Sequence, residues 1–114
     1  MKIEQTARDR ITVLAPDGRI DTTTSPALDD AVRAAVDGGA RALVVDFTKV
    51  DYISSAGLRV LLVLAKRMRE LGGKLVLCGF GPPVRQVFHL AGFLPLFTIA
   101  ASRDAAFELF AVQP

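Results

Sequence analysis

Ser54 and Ser55 are the residues of this chain best placed to do chemistry. They lie in the stretch Asp51 to Leu62, reading DYISSAGLRVLL, between a β-rich run that ends at Asp46 and what the spacing predicts as a long helix. A serine at a helix start has two uses. Its oxygen can accept a hydrogen bond from an orphan backbone N–H, an advantage of about 1 kcal/mol over alanine. The same unpaired N–H groups and the helix dipole favour negative charge, including a phosphoryl group. Ser55 is therefore a candidate cap and a candidate phosphoacceptor.

Serine catalysis would need a base and an orienting group. The chain has one histidine, His89, set in the apolar context VFHLAGF of a packed or surface residue. Ile53 and Gly57 flank Ser55 at the positions where a nucleophile elbow needs two glycines. Phosphate-cradling loops are missing too, since GFGPP at residues 79–83 ends in prolines where a third glycine is required. One histidine and one cysteine cannot supply the usual nitrogen and sulfur metal sites, and no Asp-rich calcium loop is present. Asp46 and Asp51 bracket an FTKV turn, where turn hydrogen bonds account for both carboxylates without acid–base work. The expectation is a protein that is not an enzyme and has no catalytic residue, metal or cofactor.

The composition narrows the class further. At 114 residues the chain can build one layered core, predicting a single domain over 1–114. Its 51% hydrophobic and 23% charged residues are those of a globular domain. The net charge is +2, with Lys and Arg interspersed among Asp and Glu, and there is no Trp, so the footprint of a nucleic-acid binder is absent. Cys78 lacks a partner for a disulfide and reads as a small packed hydrophobe in KLVLCGF. With no signal-peptide pattern and no apolar run of the ~20 residues needed to span a bilayer, the expected location is cytoplasmic, without membrane insertion.

The elements that must hold the serines follow from periodicity. Residues 2–6 and 10–15 read as a β-hairpin, and Pro16-Asp17-Gly18 as a turn before Arg19-Ile20-Asp21 resumes in extended form. Ser25-Pro26 reads as cap and first residue of an amphipathic helix carrying Leu28, Ala31, Val32, Ala35 and Val36 inward. RALVVDF at 41–47 is a strand buried on both faces. The long helix runs from about Ser55 to Leu71, with Leu58, Leu61, Leu62, Ala65 and Met68 inward and Arg59, Val63, Lys66, Arg67 and Glu70 outward. A strand at 74–79, a short helix ending at Gly92, a strand at 96–100 and a helix capped by Ser102 complete the order β-β-α-β-α-β-α-β-α. That order predicts an α/β fold with a mostly parallel sheet of four to five strands, opened by an antiparallel hairpin and covered by about four helices.

The run Asp46-Phe47-Thr48-x-Val50-x-Tyr52-Ile53-Ser54-Ser55-Ala56-Gly57-Leu58 resembles the signature of STAS domains, specifically the bacterial anti-sigma-factor antagonists. Gly18-Arg19-Ile20-Asp21 resembles a second recurring element of that family, and the resemblance spans essentially the whole chain. It implies partner switching. The unphosphorylated antagonist would bind an anti-sigma factor that is also a serine kinase, be released when phosphorylated, and be restored by a metal-dependent serine phosphatase. The phosphoacceptor it implies is Ser55. Asp21, Thr22 and Thr23 would lie beside Ser55 and, with Ser54, Ala56, Arg59, Val63 and Lys66, form the partner surface of a protein that is monomeric when free. Ser54 stands where the commonest form of the signature has an acidic residue, and Ala56 where it has a hydroxyl. The alternative is a constitutive STAS subunit of a lipid-transport ATPase, with the same fold and no phospho-switch.

Overall fold

In the structure, a computed structural model that describes residues 1–111, one β-sheet separates two apolar layers. The chain runs β1 (Lys2–Arg8), β2 (Ile11–Ile20), α1 (Ser25–Asp37), β3 (Ala42–Asp46), β4 (Lys49–Ile53), α2 (Ser55–Glu70), β5 (Lys74–Cys78), α3 (Pro82–Leu90), a 3-10 turn at Leu94–Leu96, β6 (Thr98–Ala100) and α4 (Arg103–Ala111). The strand order is β1-β2-β3-β5-β6, with β4 also paired to β2. Among the described residues only the β1–β2 hairpin is antiparallel. Its turn is closed by Asp9 in the left-handed region, φ 56°, a conformation that short polar residues tolerate. The α/β class, the hairpin and the four helices match expectation.

Among the described residues the strands number six, above the four to five predicted. The added strand is β4, where the sequence suggested only a turn. Val50 N–H does bond to Phe47 C=O at 2.9 Å, but the turn is tight, and the chain re-enters the sheet immediately. β3 runs beside Thr12 to Leu14 of β2, and β4 then runs beside Asp17 to Ile20, both parallel to it. β2 is correspondingly continuous. Pro16 falls where its neighbour changes from β3 to β4, an irregular place that tolerates a missing donor. Gly18, at φ 108°, marks a shift of register against β4 rather than a turn.

Alternation along the strands divides the core. Leu14, Leu43, Val45 and Leu77 face α1, α2 and α3, whereas Val13, Val44, Val76 and Cys78 face α4. On the first face Phe47, Phe80, Phe88 and Phe97 form a chain of rings with centroids 4.5 to 6.2 Å apart, a geometry favourable beyond area burial alone. α2 buries Leu58, Leu61, Leu64 and Met68. Leu62 and Ala65, expected inward, are half-buried flanks of that stripe, because Leu64 takes the central position. The last strand is three residues long, since Leu94 to Leu96 coil into the 3-10 turn before it. Ser102 caps α4 as expected, its Oγ accepting the Ala105 N–H at 3.1 Å.

Candidate functional site

The carboxyl ends of β2 and β4 lie side by side, and α2 starts directly from them. Ile20 pairs with Ile53, and the Ser54 N–H continues the ladder by donating to Ile20 C=O at 2.8 Å. Ser54 then leaves the strand conformation for the helix. It is the N-cap residue: its carbonyl accepts from Leu58 N–H at 3.0 Å, and its Oγ accepts from Gly57 N–H at 3.4 Å, a long bond. Ser55 is the first helical residue, not the cap. Its side chain is exposed, and among the described residues no hydrogen bond engages its hydroxyl.

Gly57 is what lets the helix sit so low. A Cβ there would stand 2.6 Å from Ile20 Cγ2 and 2.8 Å from Ile53 Cγ1, inside any normal contact distance. The first turn of α2 therefore rests directly on two buried isoleucines, which fixes the place of Ser55 relative to β2.

On the other side of Ser54 the loop 21–24 is closed upon itself. Asp21 Oδ1 accepts the Thr23 and Thr24 amides, each at 3.0 Å. Thr24 Oγ1 accepts the Asp21 amide at 2.8 Å and donates to Arg19 C=O at 2.7 Å. The Thr24 amide is the main cause that holds the Asp21 carboxyl below its usual range; slight burial opposes it, and the Thr24 hydroxyl, the Thr23 amide and the Arg19 charge reinforce it. Thr24, rather than Ser25, occupies the cap position of α1, and Ser25 is the buried first helical residue. Thr22 and Thr23 are exposed at the tip.

α1 and α2 pack side by side, leaving a surface groove between them. Its upper part is lined by Ser25, Pro26, Asp29, Ser55, Ala56, Arg59 and Val60, so Ser55, Ala56 and Arg59 share one concavity. Val63 lines the lower part with Val32, Leu64 and the ion pair Arg67–Asp37. Val63 is 56% exposed, as single apolar residues at a protein surface commonly are. Lys66 is exposed on α2 but lines neither part. Of the nominated residues, the structure brings Ser54, Ser55, Ala56 and Arg59 into one site, with Asp21, Thr22 and Thr23 across the Ile20–Ser54 bond and Val63 and Lys66 farther along the helix.

This arrangement has known counterparts. The protein family described as the STAS domain matches residues 2–106. The chain belongs to the STAS domain family. BtrV of Bordetella bronchiseptica, named as a candidate anti-sigma factor antagonist, is 42% identical over 110 residues, which are 96% of this chain and 95% of that protein. An anti-sigma factor antagonist from Mycobacterium paratuberculosis superposes with a TM-score of 0.87 at 29% identity, covering 95% of this chain and 92% of the other. The Bacillus cell fate determinant SpoIIAA in its phosphorylated form shares the fold, with a TM-score of 0.72 at 19% identity over 95% of this chain and 99% of the other.

Elsewhere in this STAS domain the buried titratable groups are committed to structure. Asp46 is buried, which by itself would raise its pKa. The Thr48 hydroxyl at 2.6 Å, the Thr48 amide at 2.9 Å and Arg103 Nε at 3.0 Å reverse that effect and hold the carboxyl below its usual range. Burial first, and then the neighbouring Asp46 charge, push the Cys78 thiol up to about 12, so it packs as an inert hydrophobe. His89 and Asp51 are exposed and lie apart from Ser55's groove. Among the described residues no cluster of His, Cys, Asp or Glu could hold a metal, and no helix is long and apolar enough to cross a membrane.

Sequence reasoning did not assign several neighbours of the site. Ser25, Pro26 and Asp29 face Ser55 only because α1 packs on α2, which no local pattern reveals. Gly57 carried a usable signal, a glycine in the first turn of an otherwise good helix. Arg19 and Tyr52 meet across β2 and β4, a contact hidden until β4 is recognised as a strand.

Proposed function

We propose that this STAS domain is an anti-sigma factor antagonist that docks on a serine-kinase anti-sigma factor through the start of α2, and that phosphorylation of Ser55 releases it. A metal-dependent phosphatase then restores the docking form. The observation that carries this reading is the division of labour between adjacent serines. Ser54 caps the helix, which leaves Ser55 exposed with an unengaged hydroxyl at the positive end of α2. BtrV and the mycobacterial relative, by their names, support the antagonist role, and SpoIIAA, a protein of the same fold, has a phosphorylated form.

The energetics favour a switch that leaves the fold intact. A phosphoryl group adds about −1.5 to −2 charge at pH 7, which a helix N-terminus accommodates. Arg59, one turn along in the same groove, supplies a guanidinium to pair with it. Asp29 lies in that groove too, but Arg33 neutralises it at 3.1 Å. For a docked partner the same dianion is costly, because a close-packed interface must desolvate it. A loss of about 3 kcal/mol, roughly a hundredfold in affinity, is enough to exchange partners.

Incubation with its anti-sigma kinase and ATP should add one phosphate to the wild type and none to Ser55→Ala, as read by intact mass. A labelled Ser55→Ala would mean that the acceptor lies elsewhere. Ser55→Glu should bind the kinase about a hundredfold more weakly while keeping its melting temperature. Equal binding by wild type and Ser55→Glu would instead support a constitutive STAS subunit.

A further inference from the structure

A specific protein interface covers about 800 Å² on each partner and 20 to 30 residues, several times what the start of α2 presents. The docking surface must therefore extend from Ser55, and the structure offers a pre-assembled extension over the end of the sheet. Ile20 and Ile53 are fully buried on the α2 side, so their neighbours Arg19 and Tyr52 project from the opposite face. There the Arg19 guanidinium carbon lies 4.3 Å from the centre of the Tyr52 ring, over its face. Arg19 Nε is 3.9 Å from Asp21 Oδ2, which steers the side chain without hydrogen-bonding it. The Arg19 side chain is nonetheless 60% exposed, and among the described residues no hydrogen bond occupies its terminal nitrogens. α4 does not shelter the pair, since it packs over Val13, Val44 and Val76, toward the other end of β2.

Arg and Tyr are the residue types that most often dominate binding energy at interfaces, and this pair has already lost much of the rotamer freedom that docking would otherwise have to remove. A guanidinium held over a ring with its outer nitrogens free can take a carboxylate by two parallel hydrogen bonds. Arg59 provides a second cation on the other flank of Ser55. We infer that the antagonist surface wraps over the carboxyl ends of β2 and β4, and that the Arg19–Tyr52 stack receives an acidic side chain of the same anti-sigma factor that docks at Ser55. This inference rests on the antagonist reading and adds a contact to it. The pair takes no part in phosphoryl transfer; it sets affinity and partner choice.

The test measures binding to the anti-sigma kinase and phosphorylation kinetics for Arg19→Glu, Tyr52→Ala and Tyr52→Phe, beside wild type and Ser55→Glu, with melting temperatures as a check on folding. Arg19→Glu and Tyr52→Ala should each raise Kd by about tenfold or more, raise KM for phosphorylation and leave kcat unchanged, whereas Tyr52→Phe keeps the ring and should bind like wild type. Raised salt should weaken the wild type and narrow the gap in affinity between it and Arg19→Glu. Binding by Arg19→Glu within about twofold of wild type, while Ser55→Glu fails to bind, would overturn this inference and leave the antagonist reading standing. Failure of the wild type itself to bind would overturn both. If Tyr52→Ala does not fold, Arg19→Glu, a change at an exposed side chain, decides alone.

Discussion

At the scale of single residues, the pair of serines separates two roles that the sequence allowed one residue to hold. The cap belongs to Ser54, whose long 3.4 Å bond to Gly57 N–H is weaker than a well-formed cap. Ser54→Ala should therefore lower stability by no more than about 1 kcal/mol in a denaturant titration, and should leave phosphorylation of Ser55 in place. That Ser55 would stand exposed at the start of α2 was legible from its place just before the apolar stripe of the helix. Which serine caps was not, because the choice depends on the backbone angle at Ser54, φ −91° and ψ 173°, and this is imposed by the bond from Ser54 N–H to Ile20. Asp21 shows the same limit. Its proximity to a helix start could be read, but its bonds to the Thr23 and Thr24 amides arise only once the loop is closed.

Among the elements, helices with clean 3.6-residue periodicity were readable almost to the residue, as in α2, expected from Ser55 to Leu71 and observed from Ser55 to Glu70. β4 was not, since its five residues, KVDYI, carry one charge at the start and another in the middle. What makes them a strand is tertiary, the unpaired edge of β2 that β3 vacates after Leu14. Helix α2 depends on that pairing through Gly57. In Gly57→Ala the new methyl must displace Ile20 or Ile53, both fully buried, so the substitution should cost about 1 to 3 kcal/mol despite alanine's better helix propensity. Chemical denaturation should show the loss, and amide exchange should show weaker protection at the start of α2 than at its end.

For the molecule as a whole, a buried carboxylate ties the two faces of the sheet together. Asp46 at the end of β3 receives the turn before β4 through Thr48 and holds α4 through Arg103. Because its folded pKa lies below the ordinary carboxylate value of about 3.8, the stability it contributes is fully present above pH ~4 and is lost as pH falls through the folded value. Arg103→Gln removes the charge partner, so it should cost about 1 kcal/mol at neutral pH. It should also flatten the acid limb of stability below pH ~4, measured by thermal melts across pH. Asp21, lowered in the same direction, leaves part of the acid limb in the variant. The α/β class and its alternation were legible from the apolar runs RALVVDF and KLVLC. This cross-sheet tie was not, because Asp46 and Arg103 lie 57 residues apart and nothing local marks them as partners.

The parallel ladder from β2 into β4, carried on by Ser54 N–H and pressed from above by the first turn of α2, also bears on the thermodynamics of association. A segment held from both sides has little backbone freedom left to surrender. Complex formation should then proceed with a heat-capacity change set by the contact area alone, without the larger negative value that accompanies folding upon binding. Under the proposed switch, a partner meeting such a surface would find it ready at first encounter, and selection between partners would fall on dissociation rates, the quantity that a single added phosphate is best able to change.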